Sequence, residues 1–210
     1  SSDLNLVFNL GGNLSKRTFE SLSVFGEDFK IKSKSFLNNT KSQRITEIPQ
    51  QTKKVNSLYA AANFAYNGFL YVDLTARNDW SSTLPEDNRS IFYGSANAAV
   101  LLEDFIDIDM IDMFKVRGSI ANVGNDTDPY QLVQTFNVPG LGFQGLTTLN
   151  APLTRLNAKL KPENIQSSEF GIELVMFNNK LSLDLAVYNI KTTDMIFSVP
   201  VPAATGYSFF

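Results

Sequence analysis

Phe170-Gly171-Ile172-Glu173-Leu174-Val175-Met176-Phe177, then Asn178-Asn179, then Lys180-Leu181-Ser182-Leu183-Asp184-Leu185-Ala186-Val187-Tyr188, is the stretch whose reading decides the fold. Side chains alternate between the two faces of a strand. A two-residue loop at Asn178-Asn179 pairs Phe177 with Lys180. Counting outward, Met176 meets Leu181, Leu174 meets Leu183, Ile172 meets Leu185 and Phe170 meets Val187. All of these lie on one face. The other face receives Glu173 opposite Asp184 and Glu169 opposite Tyr188. A sheet of that contrast either packs on a core or faces lipid.

A second hairpin joins Leu58–Tyr66 to Leu70–Trp80 around Asn67-Gly68. A two-residue Asn-Gly turn would put Phe64 and Tyr66 on the face opposite Leu70, Val72 and Leu74. A three-residue loop, Asn67-Gly68-Phe69 with a positive-φ residue, aligns Ala62, Phe64, Tyr66, Leu70, Val72, Leu74 and Ala76 instead. One residue of slip exchanges the faces of a whole strand, so the second register is preferred. It leaves Asn63, Ala65, Tyr71, Asp73, Thr75 and Arg77 on the wet face.

Elsewhere, Leu4–Leu14 reads as a strand loosened by Gly11-Gly12, and Val24-Phe25 and Phe29–Ile31 as parts of further strands. The polar stretch Thr40–Asn56, with Pro49, reads as a long solvated loop, and Ser81–Ser90 as another. Phe92–Leu102 and Phe114–Val123 read as strands, the latter with Phe114, Val116 and Ile120 on one face and Lys115, Arg117 and Ser119 on the other. The acidic stretch Glu103–Asp112 is an intermediate connection with a short helical turn. Gly124–Leu160 is long and unpatterned, which is unusual inside a compact soluble domain but ordinary for the outer loops of a membrane barrel. Short turns at one end and long loops at the other describe an up-and-down transmembrane β-barrel. The competing architecture is a soluble β-sandwich, used for adhesion or glycan binding, whose inner faces alternate too.

Composition narrows the chemistry. The 210 residues are 43% hydrophobic and 19% charged, with 17 Phe, so the chain is not disordered by composition. A net charge of -3 and a pI near 5.0 argue against a nucleic-acid surface. There is no Cys and no His, which excludes disulfides, thiolate chemistry and His-dependent triads within this chain. No uninterrupted apolar run exceeds that of Ala98–Leu102, far short of the ~20 residues of a membrane helix.

Several local patterns invite a chemical reading. Gly140-Leu141-Gly142-Phe143-Gln144-Gly145 matches G-x-G-x-x-G, but Pro139 precedes it and Pro152 follows shortly after. The strand and helix that a dinucleotide site needs are missing, and an outer loop is the better reading. Asp107, Asp109 and Asp112, with Glu103 and Asp104, or Asn125-Asp126-Thr127-Asp128, could collect calcium; a solvated turn is the plainer reading of each. Glu173 opposite Asp184 has the look of a glycosidase pair, yet a water-filled lumen accommodates facing carboxylates without catalysis. Trp80 and Tyr93 suit interfacial anchoring better than stacking on a sugar. The wet-face residues Asp73, Arg77, Lys115, Arg117, Glu173 and Asp184 are the candidates for contact with a solute or an internal plug.

Particular blocks carry a family resemblance. Arg77-Asn78-Asp79-Trp80-Ser81-Ser82-Thr83-Leu84-Pro85, Asn88-Arg89-Ser90-Ile91-Phe92-Tyr93, Phe114-Lys115-Val116-Arg117-Gly118-Ser119, Val123-Gly124-Asn125-Asp126-Thr127, Leu160-Lys161-Pro162-Glu163, Ser168-Glu169-Phe170-Gly171 and Tyr188-Asn189-Ile190-Lys191-Thr192-Thr193-Asp194 follow one another in order. Their succession, over roughly residues 55 to 207, resembles the SusC/RagA family of TonB-linked outer-membrane proteins. The resemblance implies that residues 1–210 are an internal stretch of a barrel of about 22 strands, without plug or TonB-contacting segment and with the final strands beyond it. It implies import of a glycan or peptide across a bacterial outer membrane, with no enzymatic step and no cofactor. The partners it implies are a SusD-like surface lipoprotein, TonB through the plug region, outer-membrane lipid and a second copy of the complex.

Overall fold

In a computed structural model, residues 3–102, 105, 108–136, 138, 144 and 146–210 are described. Seven strands follow in chain order: β1 (Leu4–Phe29), β2 (Thr40–Tyr66), β3 (Leu70–Ser81), β4 (Ser90–Leu101), β5 (Ile111–Asn125), β6 (Glu163–Met176) and β7 (Leu181–Thr193). They form one sheet in sequence order, each antiparallel to the next. This is an up-and-down meander, not two facing sheets, and the sandwich alternative falls with it.

Both hairpin registers stand as read. Tyr66 pairs with Leu70, Phe64 with Val72 and Ala62 with Leu74 across the three-residue loop. Asn67 and Gly68 there take φ of 47° and 73°, the left-handed region in which Gly carries no Cβ penalty. In the later hairpin Met176 pairs with Leu181 and the partners run as expected to Phe170 and Val187. One detail differs. Phe177, Asn178 and Asn179 all have positive φ, and the Lys180 amide bonds to the Met176 carbonyl at 3.1 Å. The turn is four residues, 177–180, so Phe177 and Lys180 close it and are not a ladder pair. Parity, and hence face, is unchanged.

The stretch 40–56 is not a loop. It is the first part of β2, and Phe29 pairs with Thr40 at the head of a continuous ladder to β1. Val24-Phe25 lies within β1 itself, and Gly11-Gly12 does not interrupt it. β3 pairs with β2 only from Val55 onward. The hairpin therefore rises about fifteen residue pairs above its neighbour, roughly 50 Å at ~3.4 Å per residue. Its register shifts once, between Phe19–Gln51 and Ser21–Ile48. The extra β2 residue lies at Pro49–Gln50, the kind of bulge where a strand tolerates Pro. The turn at 30–39 is held by the Asn39 side chain, which accepts from the Ile31 amide (3.0 Å) and donates to the Ile31 and Lys34 carbonyls.

The connections 67–69, 102–110 and 177–180, none longer than nine residues, share one end of the sheet. The tall hairpin, the connection 82–89 and the long segments 126–162 and 194–210 share the other. The long segments are tied to one another there: Thr154 and Pro200 each bridge to Phe209, and Asn88 Nδ2 donates to the Leu160 carbonyl.

One face of the sheet is apolar and uncovered. Among the described residues only Leu84 and Ile91 are buried hydrophobics, at 3% and 7% exposure. Leu185 is 57% exposed and Val187 74%. The top of the apolar stripe is not level with the ladder. On β1 it ends at Leu14, whose row of paired residues crosses Asn56, Trp80 and Ser90. On β7 it ends at Val187, whose row crosses Phe170, Gly118 and Ala98. Ser90 and Ala98 are eight residues apart on β4, ~27 Å along the strand, while β1 and β7 are six strand spacings apart, ~29 Å. The apolar edge thus slants at roughly 43° to the ladder. A flat slab of hydrocarbon produces this slant when strands tilt by ~35–45°, the tilt of membrane barrels.

Candidate functional site

The opposite face is wet, and all six candidates lie on it. Lys115, Arg117, Glu173 and Asp184 are brought into one cluster spanning β5, β6 and β7. Lys115 Nζ donates to Glu173 Oε2 at 3.2 Å. Arg117 reaches across β6 and forks onto Asp184, with Nη2 to Oδ1 at 2.9 Å and Nη1 to Oδ2 at 3.2 Å. It lies 3.5 Å from Glu169 and 3.9 Å from Glu173 on the way.

Gly171 makes this reach available. It is the residue paired with Arg117, and a Cβ there would stand 2.7 Å from Arg117 Nε. Glu169 and Glu173 flank it on the same face. The sequence signal was present: a Gly inside an otherwise alternating strand marks close approach by something else. The facing carboxylates Glu173 and Asp184 are directly paired, but water alone does not relieve them. Two cations from β5 do. A planar guanidinium suits the longer reach because its fork matches a carboxylate.

Arg77 stands in a second cluster. Its Nε donates to Asp79 Oδ1 at 2.8 Å and its Nη2 to Ser57 Oγ at 3.0 Å. The Tyr59 and Tyr93 rings lie 6.0 and 5.9 Å from its guanidinium carbon, a cation–π sandwich. Tyr93 Oη donates to Asp79 Oδ2 at 2.6 Å. Tyr93 thus belongs to the wet face and is no lipid anchor, whereas Trp80, three residues on from Arg77, faces the apolar side. Asp73 stands apart from both clusters and accepts from Asn63 Nδ2 at 2.5 Å. A hollow of about 260 Å³ lies between Asp73 and the Arg117 cluster, lined also by Tyr71, Asn97 and Glu169.

Sequence reading missed a third group. Asp126 is ion-paired to Lys53, accepts from Ser81 Oγ at 2.5 Å and lies 3.2 Å from Thr83 Oγ1. Ser81 and Thr83 are 1% and 3% exposed. One carboxylate therefore ties the loop 82–89, the β2 flank and the start of the 126–162 segment together. Within the 125–128 stretch, Asp126 is already bonded to Lys53, Ser81 and Thr83. Asp112 Oδ2 accepts from the Asn179 amide at 3.0 Å. Glu103, Asp104 and Asp107 of the acidic stretch, and all of the 140–145 glycine motif except Gln144, lie outside the described residues. Among the described residues no three acidic groups converge on a metal position.

Glu163, above the apolar stripe on β6, accepts from the Ile196 amide at 2.7 Å and from Asn125 Nδ2 at 3.0 Å. These bonds, the backbone one foremost, hold its carboxyl below the usual glutamate range against a small opposing effect of burial.

A tilted, single-layer antiparallel sheet, greasy outside and ion-paired inside, with long loops at one end, defines a segment of transmembrane barrel wall. The comparisons agree. The family model described as TonB dependent receptor-like, beta-barrel matches residues 1–210, and the chain belongs to that family. TonB-dependent receptor P26 of Formosa agariphila is 30% identical over 165 residues, 74% of this chain and 16% of the relative. TonB-dependent receptor P39 of the same organism is 25% identical over 217 residues, 99% of this chain and 20% of the relative. The chain therefore spans about a fifth or less of these relatives. Among solved structures, that of the RagAB peptide transporter matches with a TM-score of 0.83 at 21% identity, over 100% of this chain and 24% of that one. The family is one of receptors, not enzymes.

Proposed function

We propose that residues 1–210 form one stretch of the wall of an outer-membrane importer, through which a nutrient passes on energy delivered by TonB. The cargo is a glycan or a peptide. A SusD-like lipoprotein serves the outer mouth, the complex pairs with a second copy, and TonB acts through a plug lying in another part of the protein. No cofactor enters the scheme.

The observation that carries the reading is the uncovered apolar face with its slanted edge. Hydrocarbon satisfies that face. The free backbone edges of β1 and β7 are then costly in lipid, so further strands must close the sheet into a barrel. The wet face becomes the lumen wall. Its two arginine clusters offer donors and acceptors to a hydrated solute or to the plug, and Asp73 borders the hollow beside them. Family membership supports TonB coupling, and the fold shared with a peptide transporter supports the peptide option.

Uptake decides it. Cells lacking the full-length protein should lose uptake of one class of labelled oligosaccharide or peptide and regain it on complementation. Unchanged uptake of every class tested would overturn the import reading.

A further inference from the structure

We propose that Lys16 and Lys54 form a binding site for the phosphate of an outer-leaflet glycolipid. The two residues are direct cross-strand partners on β1 and β2. Leu14 and Asn56 are the pair next to them on the same face, so both lysines point to the apolar, outward side. Cβ atoms of such a pair stand ~4.5–5.5 Å apart, and like charges directly opposite one another are destabilising, a repulsion that an anion held between the two ammonium groups would relieve. Neither lysine has a carboxylate within 4 Å among the described residues. The nearest acid further along that face of β1, Glu20, accepts from Gln50 Nε2 at 2.5 Å.

Their height assigns the anion. Lys16 lies two residues, ~7 Å along the strand, beyond Leu14, the last apolar residue of the stripe and 83% exposed. Trp80, paired with Asn56, marks the same rim, as aromatic residues do at a membrane interface. Lys54 is fixed beside the loop that caps β3: its amide donates to Ser82 Oγ and its carbonyl accepts from the Ser82 amide, both at 2.9 Å. Lysine stems run along apolar surface while their ammonium groups reach the polar layer. The pair thus sits where hydrocarbon gives way to headgroups, at the end bearing the long loops. Arg17 and Lys53, the next pair up, point to the other face and are not part of the site. The proposal rests on the lipid-facing assignment of this side of the sheet, not on import.

The full-length protein, purified in detergent, is titrated with a bisphosphorylated glycolipid of the lipid A type and with its dephosphorylated form. The phosphorylated lipid should bind more tightly. From the usual effect of one lysine near an anionic surface, K16Q/K54Q should lose about thirtyfold in affinity and either single variant about fivefold. K16R/K54R should keep the preference, and K180Q at the opposite end should leave it unchanged. Salt should weaken the interaction. Equal binding of the two lipids by the unaltered protein would overturn the proposal, whatever the variants do. Full competition by inorganic phosphate at matched concentration would also overturn it, by showing a site for the free ion. Loss of phosphate preference with uptake intact would leave the import reading untouched.

Discussion

Replacing Leu185 with Arg asks what medium touches the apolar face. On β7 the outward residues of the stripe are Leu181, Leu183, Leu185 and Val187, ~20 Å along the strand. At the ~43° slant this is ~15 Å of height, and Leu185 lies ~2.5 Å from its middle. An arginine on the lipid face costs about 2–4 kcal/mol near the midplane and about 0–1 kcal/mol near the interface. Leu185→Arg should therefore shift the folding equilibrium by roughly 30- to 1000-fold. Asn189→Arg, the next outward position past Val187, should shift it by less than about fivefold. The assay is reversible guanidinium unfolding of the full-length protein in lipid vesicles, followed by gel mobility of the folded barrel. If water bathed this face, Leu185→Arg would be a surface change worth at most about 0.5 kcal/mol. Equal costs at 185 and 189, or a neutral Leu185→Arg, would refute the argument.

Other predictions concern the wet face and the loops. Gly171→Ala should push Arg117 off Asp184 at little cost in stability, because the obstructing atom belongs to a flexible side chain; a structure of the variant, or loss of the salt sensitivity of unfolding, reports it. Asp126→Ala should leave Ser81 and Thr83 buried without their acceptor, destabilise by about 1–3 kcal/mol and expose the loop 82–89 to protease nicking. Glu163 gives a pH dependence. Its folded-state pKa is depressed, so the tie to Ile196 is at full strength above the ordinary glutamate value and is lost as pH falls through the lowered one. Amide exchange at Ile196, corrected for intrinsic rate, should accelerate on going from about pH 6 to about pH 3, and Glu163→Gln should abolish the change. Gly68→Ala, at φ 73° with open space around it, should cost about 1 kcal/mol from backbone strain alone.

The sequence was legible where one face met hydrocarbon and the other water. Ile172, Leu174, Leu183 and Leu185 alternate with Glu173, Ser182 and Asp184, and that contrast set both strand identity and register. It failed at 40–54, which is polar on both faces because the tall hairpin stands in water on both sides. Nothing alternates there, and the strand is held by backbone pairing to β1 with scattered ties such as Gln50 to Glu20 and Lys53 to Asp126. Parity put the six wet-face candidates on one face of the sheet, and the ladder has them on one face. Their grouping did not follow from parity, since Arg117 reaches two strands away through the gap at Gly171, a contact that no adjacent-strand count reveals. Tyr93 was misplaced because an aromatic near a strand end was read by type, when parity with Arg77 puts it inside. Asp126 was read as part of a solvated turn, with calcium the lesser alternative, because its partners, Lys53, Ser81 and Thr83, are more than 40 residues away in sequence.

The absence of cysteine from this chain makes one measurement especially direct. Single cysteines at positions 182 to 188 of the full-length protein, with any other cysteine removed, are labelled with a fluorophore and the protein is placed in lipid vesicles. Brominated lipid should quench the label at 183, 185 and 187, and a water-soluble quencher should act at 182, 184, 186 and 188. A profile without that alternation, or one in which lipid reaches the 184 position and water the 185 position, would contradict the claim that the apolar face of this sheet is turned to the membrane.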